Sequence, residues 1–463
     1  MIDRISSGHD RLDSVLGGGL PANGINLILG FPGTGKTILA QQYVFFNASV
    51  ERPALYLSTV SEPFQKLVRY AQTLDFFDGS AVGRSVFYED VSGPLAADGL
   101  SGVLEEVDRL IKAHPSGVMV IDSFKALTAY APDPRGFRQF VHELAGRLSA
   151  LPISSFWVGE YGANELGEAP EFAVGDAIIA LSTLRVGERE TRLLQVLKIR
   201  GSAFAPGSHA YRISERGVDV FPRLADPAGH AEYALTSERT SSGIALLDEM
   251  LTDGFVAGSS TLVAGPSGIG KTVMGLHFVI HGARQGEPGV IATFQENPAQ
   301  LERIASGFGW SIRGEGVELM YRAPVDLYVD EWVYDLLATV ERSNARRVLI
   351  DSLTDLEFAS PDRSRFREYI YSLTQRFARA EVSLYMTTEV ATLFEVSSLS
   401  EFGISHASDN VLLLQYVRGA SQLTRAVTVL KTRASSHQPD IREYTITSDG
   451  ITLGPSLEVG PVP

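Results

Sequence analysis

The sequence contains no cysteine, which excludes disulfide bridges, thiolate catalysis and cysteine-ligated zinc together. Lysine is nearly absent as well: only seven of the 40 Lys and Arg residues are Lys. A chain that writes arginine for any general positive charge makes each remaining lysine informative. No apolar run approaches about 18 residues, and the opening Met1-Ile2-Asp3-Arg4-Ile5-Ser6-Ser7 lacks the apolar core of a signal peptide. The expectation is a soluble, cytoplasmic protein without a membrane segment. Positive charge is in deficit, 40 basic against 55 acidic residues for a net charge of −15. That balance weighs against a protein whose main work is coating nucleic-acid backbones. An apolar fraction of 44% with 21% charged residues excludes disorder and implies packed globular structure.

A length of 463 residues suggests about three domains at roughly 150 residues each, but an internal repeat revises this. Gly30-Phe31-Pro32-Gly33-Thr34-Gly35-Lys36-Thr37 returns 235 residues later as Gly265-Pro266-Ser267-Gly268-Ile269-Gly270-Lys271-Thr272. Ser6-Ser7-Gly8 with Leu12-Asp13 returns at the same offset as Ser241-Ser242-Gly243 with Leu247-Asp248. The run Val118 to Ser123 matches Val348 to Ser352 at 229, and Lys198-Ile199-Arg200 matches Lys431-Thr432-Arg433 at 233. Four landmarks in one order mean a tandem duplication. The expected domains are residues 1–225 and 236–463, joined by a Pro- and Gly-containing linker over 226–235.

Each half alternates apolar strands with helical spacing. Strands are expected over Ile25–Leu29, Ala54–Leu57, Val118–Ile121, Ser154–Val158 and Ala177–Leu181, and helices over Thr37–Phe46 and Gly136–Leu148. Continuous apolar strands between amphipathic helices imply an α/β fold, a mostly parallel sheet covered on both faces.

The repeated G-x4-G-K-T pattern has a mechanical meaning. Glycines at 30, 33 and 35, and at 265, 268 and 270, let the backbone turn sharply and approach a ligand without a Cβ. The N–H groups of the turn, including those of Thr34, Ser267 and Ile269, then point at phosphate oxygens at the positive end of the next helix. Lys36 and Lys271 supply charge to the β- and γ-phosphates, and the Thr37 and Thr272 hydroxyls suit Mg²⁺. Asp122 and Asp351 each end an apolar strand, where a carboxylate holds the magnesium shell. Mg²⁺ and a nucleoside triphosphate, ATP with GTP left open, are therefore the expected ligands.

A water-orienting group is expected at the tip of a neighbouring strand. Glu62 in Thr59-Val60-Ser61-Glu62-Pro63 and Glu296 in Thr293-Phe294-Gln295-Glu296 fill that position, with Glu160 and Glu389 as rivals. Both Lys-x-Arg pairs kept their lysine against the general use of arginine. In an extended strand Lys198 and Arg200 project from one face, as do Lys431 and Arg433. Two cations side by side need an anion opposite. A phosphate on a neighbouring subunit would serve, making the pair a trans-acting finger; local carboxylates are the other reading.

With these elements placed, the chain resembles the KaiC family of circadian-clock ATPases, within the RecA-like P-loop superfamily. The more particular marks are the Ser-Ser-Gly preambles, Thr293-Phe294-Gln295-Glu296, Ser408-Asp409-Asn410-Val411 followed by Leu412-Leu413-Leu414-Gln415-Tyr416, and both Lys-x-Arg pairs. The resemblance implies two tandem RecA-like domains, hexameric double rings with ATP between subunits, slow hydrolysis in the first domain and self-phosphorylation in the second. A small regulatory protein is the implied partner. The family's two adjacent glutamates are Ser61-Glu62 and Gln295-Glu296 here. Its phosphorylated Ser-Thr pair aligns with Ser405-His406, so Ser405, with Ser400 nearby, is the expected acceptor. The chain ends soon after Gly450, and the long partner-binding tail of the cyanobacterial protein is expected to be missing, so clock function is not carried over.

Two other readings share this core. One is a nucleic-acid-dependent motor using the Arg-rich segments 342–347 and 363–379; the other is a nucleotide-bound scaffold with negligible hydrolysis.

Overall fold

The computed structural model describes residues 3–59, 64–162, 165, 169–186, 189–224, 236–314, 316–360, 362–390, 407–418, 422–433 and 435–457. The chain divides into two compact units, Met1–Arg223 and Leu224–Pro463.

In the first unit the described residues form a nine-stranded sheet. From edge to edge its strands are Gly217–Phe221, Ser208–Ser214, Arg189–Ile199, Ala177–Val186, Ile25–Gly30, Ser154–Gly159, Val118–Asp122, Ala54–Ser58 and Val86–Asp90. The six from Ala177–Val186 onward run parallel. The remaining three are antiparallel and follow one another in sequence. The apolar runs form strands because β-branched and aliphatic residues buried on both faces exclude water from the ladder; all six residues of Ile25–Gly30 and of Ser154–Gly159 are buried.

The second unit repeats this plan with nine strands in the same spatial order. Ser260–Gly265 lies between Ser383–Glu389 and Asn410–Arg418, and the antiparallel strands Leu423–Lys431, Arg442–Thr447 and Gly450–Ser456 extend the sheet. Each unit is thus a mostly parallel sheet flanked by helices. The antiparallel strands beyond Leu181 and Leu414 are the part the alternating pattern did not lay out.

Helices cover both faces. Lys36–Asn47 buries Leu39, Ala40, Tyr43 and Val44 against the sheet, with the Tyr43 ring 4.6 Å from that of Phe156. On the other face Pro134–Ser149 starts at Asp133, whose side chain accepts from Gly136 N, and buries Phe137, Phe140, Val141 and Leu144. Phe124 stacks on Trp157 at 4.2 Å, which adds about 1 kcal/mol beyond area burial and pins the segment just past Asp122.

The Ser-Ser-Gly preambles are structural. Ser6 Oγ and Ser7 N donate to the Asp13 carboxylate at 2.5 and 2.9 Å, and Ser241 Oγ and Ser242 N donate to Asp248 at 2.5 and 2.7 Å. In the second unit Arg347, buried behind strand Arg347–Asp351, donates to Ser241 O and Phe278 O and pairs with Glu287 at 2.6 Å.

Candidate functional site

Because the parallel strands share one direction, their carboxyl ends gather at one edge of each sheet, and the glycine-rich turn leaves from that edge. Gly33 and Gly35 adopt φ of +79° and +85°, and Gly268 and Gly270 adopt +74° and +109°. A Cβ on Gly35 would meet Ile213 Cδ1 at 2.6 Å, whereas one on Gly33 would meet nothing within 4 Å. The turn is therefore close-packed on its protein side and open on the side where a ligand approaches.

Lys36 and Thr37 open the helix that follows, and Lys271 and Thr272 open its counterpart. Thr37 Oγ1 donates to Asp122 Oδ2 at 2.8 Å, and Thr272 Oγ1 donates to Asp351 Oδ2 at 2.7 Å. Each hydroxyl–carboxylate pair comes from two different elements and converges beside the turn. Such a pair, completed by phosphate oxygens and water, is a donor set that fits Mg²⁺, which prefers few protein ligands. Consistently, no group of three or more acidic or His side chains among the described residues could hold an ion alone.

The electrostatics of both turns suit an anion. Burial lowers the pKa of Lys36, opposed by Glu160 and Asp122, and its Nζ lies 3.6 Å from Glu160. Burial likewise lowers Lys271, opposed by Glu389, Asp351 and Glu296. The amines donate to backbone, Lys36 to Phe31 O at 2.9 Å and Lys271 to Gly265 O and Pro266 O, both at 2.9 Å. Asp351 is raised by burial despite donations from Thr387 and Thr272.

Glu296 is half-buried just past strand Gly289–Thr293. Burial raises its carboxyl, and Asp351 and Asp355 add to this while Lys271 opposes it. A carboxylate with raised affinity for a proton suits a base. Glu62, Ser400 and Ser405 lie outside the described residues. Glu389 stands in register with Gly265, beside the loop-bearing strand.

The Lys-x-Arg dyads sit elsewhere. Lys198 pairs with Ile178, which pairs with Leu27, so it lies three residues before Gly30 along the sheet, about 10 Å from the level of its own turn. Lys431 pairs with Val411, which pairs with Leu262, again three residues before Gly265. Each dyad therefore faces the opposite end of its own sheet. Lys198 Nζ donates to Phe172 O at 3.2 Å, and Arg200 donates to Ala173 O at 2.9 Å and to Asp176 at 3.2 Å. Lys431 Nζ donates to Ser408 O at 2.7 Å, and Arg433 lies 3.8 Å from Asp409. Asp176 and Asp409 also accept Ile25 N and Ser260 N, each at 2.9 Å, which ties the dyad to the start of the loop-bearing strand. Both lysines are lowered by burial first and by the neighbouring arginine second.

Two residues that brace the turns went unread in the sequence. Tyr211 and Tyr444 donate their hydroxyls to Thr34 O and Ile269 O inside the turns, each at 2.6 Å. Their spacing of 233, the offset of the dyads, was the available signal.

Within the Arg-rich segments, Arg342, Arg346, Arg347, Arg363 and Arg365 each meet a carboxylate, of Glu318, Glu381, Glu287, Glu357 and Asp330. These arginines serve folding contacts.

The family model described as the KaiC ATPase matches residues 5–225 and again 240–458. The chain belongs to the KaiC family. A circadian clock oscillator protein KaiC from a Picosynechococcus species is 28% identical over 480 aligned residues, covering 98% of this chain and 90% of its own. From a Synechocystis species, the circadian clock oscillator protein KaiC 1 is 28% identical over 97% of this chain and 88% of its own, and the circadian clock protein KaiC3 is 27% identical over 98% and 92%. Each half is thus a KaiC-type P-loop ATPase domain. No helix among the described residues is long and apolar enough to cross a membrane.

Proposed function

We propose that this KaiC-family chain is a Mg²⁺-dependent ATPase that assembles into a homohexameric double ring, with each ATP held by the turn of one protomer and completed by the Lys-x-Arg dyad of the next. The observation that carries this reading is the pair Thr37–Asp122 with its duplicate Thr272–Asp351, a hydroxyl and a carboxylate meeting beside an open glycine-lined turn in both halves. Thr37 with Asp122, and Thr272 with Asp351, would hold Mg²⁺, which would supply positive charge against that developing on the phosphates. The turn N–H groups and Lys36 or Lys271 bind and orient the phosphates. Glu62 and Glu296 take the proton of the attacking water. The separation of each dyad from its own turn supports its use on a neighbour's nucleotide. The ring turns nucleotide state into rearrangement of its own subunits or of a small regulatory protein in the cytoplasm, and Ser405 or Ser400 accepts phosphate from the second site.

Native mass spectrometry after incubation with Mg-ATP tests this. The parent is expected as six protomers with two nucleotides per chain, and Lys36→Ala and Lys271→Ala should each lose one of the two. Phosphate gained on Ser405 or Ser400 reports transfer. Full nucleotide occupancy in both variants, or saturated monomers, would overturn the reading.

A further inference from the structure

The second site contains a carboxylate that grips a glutamine side chain. Asp355 lies on helix Leu353–Ala359, four residues past Asp351. Its two carboxylate oxygens accept from Gln295 Nε2 at 3.0 and 3.3 Å, and Oδ2 also accepts from Ser352 Oγ at 2.6 Å. A carboxylate only accepts, so the Gln295 amide must turn its NH₂ toward Asp355. Its orientation is fixed by chemistry and is not open to a flip. The carbonyl oxygen Oε1 then occupies the other branch of the amide, as an acceptor on the residue next to Glu296 in sequence.

The sequence of the first half carries other residues at these positions, with Ser61 in the place of Gln295. At the Asp122-to-Asp351 offset, Ser123 matches Ser352, but Ala126 stands where Asp355 stands. There Thr59 Oγ1 donates to Ser123 O and accepts from Ser123 N, both at 3.1 Å. The aspartate and the glutamine it holds are thus both replaced in the sequence of the first half. That pairing is what a paired function requires: Gln cannot serve as a proton acceptor, but an oriented Gln can hold a water in place.

We infer that Asp355 is a positioning residue of the second nucleotide site, gripping Gln295 by its amide nitrogen so that Oε1 accepts a hydrogen bond from the attacking water. This rests on the proposed hydrolysis at that site. In the step it serves, the water oxygen bonds to the γ-phosphorus and the bond from that phosphorus to the leaving ADP oxygen breaks. The water proton passes to Glu296. Asp355 touches neither nucleotide nor water; it acts through Gln295, and its charge also adds to the raised carboxyl of Glu296.

The test is a double-mutant cycle in the full chain carrying Lys36→Ala, so that steady-state phosphate release reports the second site. Asp355→Ala is expected to lower kcat about tenfold with KM within about twofold of the parent, because a loosened orienting group costs rate and not binding. Asp355→Asn keeps an oxygen that accepts from Gln295 Nε2 and should recover most of the loss. In a Gln295→Ala background, Asp355→Ala should change kcat by less than about twofold, since coupled residues are non-additive. Asp355→Ala at the parent rate, or an equal loss with and without Gln295, would overturn the inference while leaving the ATPase reading intact. Phosphate release that is insensitive to Lys271→Ala would instead overturn hydrolysis at the second site, and this inference with it.

Discussion

Tyr444 donates its hydroxyl to the carbonyl oxygen of Ile269 at 2.6 Å, inside the turn expected to grip phosphate. Tyr211 stands in the same relation to Thr34 in the other half. Both come from the antiparallel strands that extend each sheet, so the extension braces the turn from behind. Burial raises both phenols above their ordinary range, and each stays a hydrogen-bond donor at physiological pH. Tyr444→Phe leaves the Ile269 carbonyl buried without its partner, a cost of about 1–3 kcal/mol to the second unit. Titration with a fluorescent ATP analogue in a Lys36→Ala background should show Kd raised about fivefold, if roughly 1 kcal/mol of the loss falls on the binding-competent turn. An unchanged Kd would mean that the turn keeps its shape unaided.

Arg200 lies on the far side of the sheet from its own turn and more than half exposed. Arg200→Ala should keep nucleotide bound at the first site yet lose about 10³-fold in its phosphate release, the scale of a cationic finger. Asp176 holds this arginine at 3.2 Å and also caps the loop-bearing strand at Ile25 N, so the variant should unfold near the parent temperature. Hydrolysis at the parent rate in Arg200→Ala, measured with Lys271→Ala present, would return the dyad to a purely local pairing.

Thr272 supplies a hydroxyl to Asp351, and both would be metal ligands. Chelating Mg²⁺ with EDTA should abolish phosphate release. Thr272→Ser retains the hydroxyl and should stay within about threefold of the parent, whereas Thr272→Ala should fall about 10²-fold as metal placement is lost. Equal activity of the Ser and Ala variants would remove Thr272 from the metal site.

His277 accepts a hydrogen bond from Ile451 N at 2.7 Å, with Trp310 edge-on at 4.6 Å. Burial first, and then the charge of nearby His281, lower its pKa to about 4 against an opposing hydrogen bond with the Gly243 backbone. The folded state therefore holds His277 neutral while the unfolded chain takes up a proton below about 6.5. The stability it contributes is complete above that pH and is lost as pH falls toward 4. Denaturant unfolding of the second unit should weaken between pH 7.5 and 5 by about 2 kcal/mol more in the parent than in His277→Gln, which keeps an acceptor but does not titrate. Parallel pH profiles would contradict this assignment.

Much of the site could be read residue by residue. The turn glycines, Lys36, Lys271 and the strand-ending Asp122 and Asp351 were legible because backbone geometry and phosphate chemistry demand those residue types at short spacing. Expected strands such as Ile25–Leu29 differ from the observed Ile25–Gly30 by one residue. The antiparallel extension was harder, because strands such as Arg442–Thr447 are only partly buried and carry no continuous apolar run. Tyr211, Tyr444 and Asp355 gave no local sign, since an isolated Tyr or a helical Asp has many ordinary roles. The preambles marked the repeat, and Asp13 and Asp248 hold them as folded turns.

The amino-acid order alone determined the duplication, the alternating α/β class and the glycine-rich turns, all of which depend on patterns within a few residues or on self-similarity. Only the tertiary structure decided which hydroxyl meets which carboxylate, which tyrosine braces which carbonyl and where each cationic dyad stands. Thr37 and Asp122 are 85 positions apart, and Tyr444 and Ile269 are 175 apart. Contacts of that span are created by strand order and register, which place remote residues side by side without leaving any trace in their immediate neighbours.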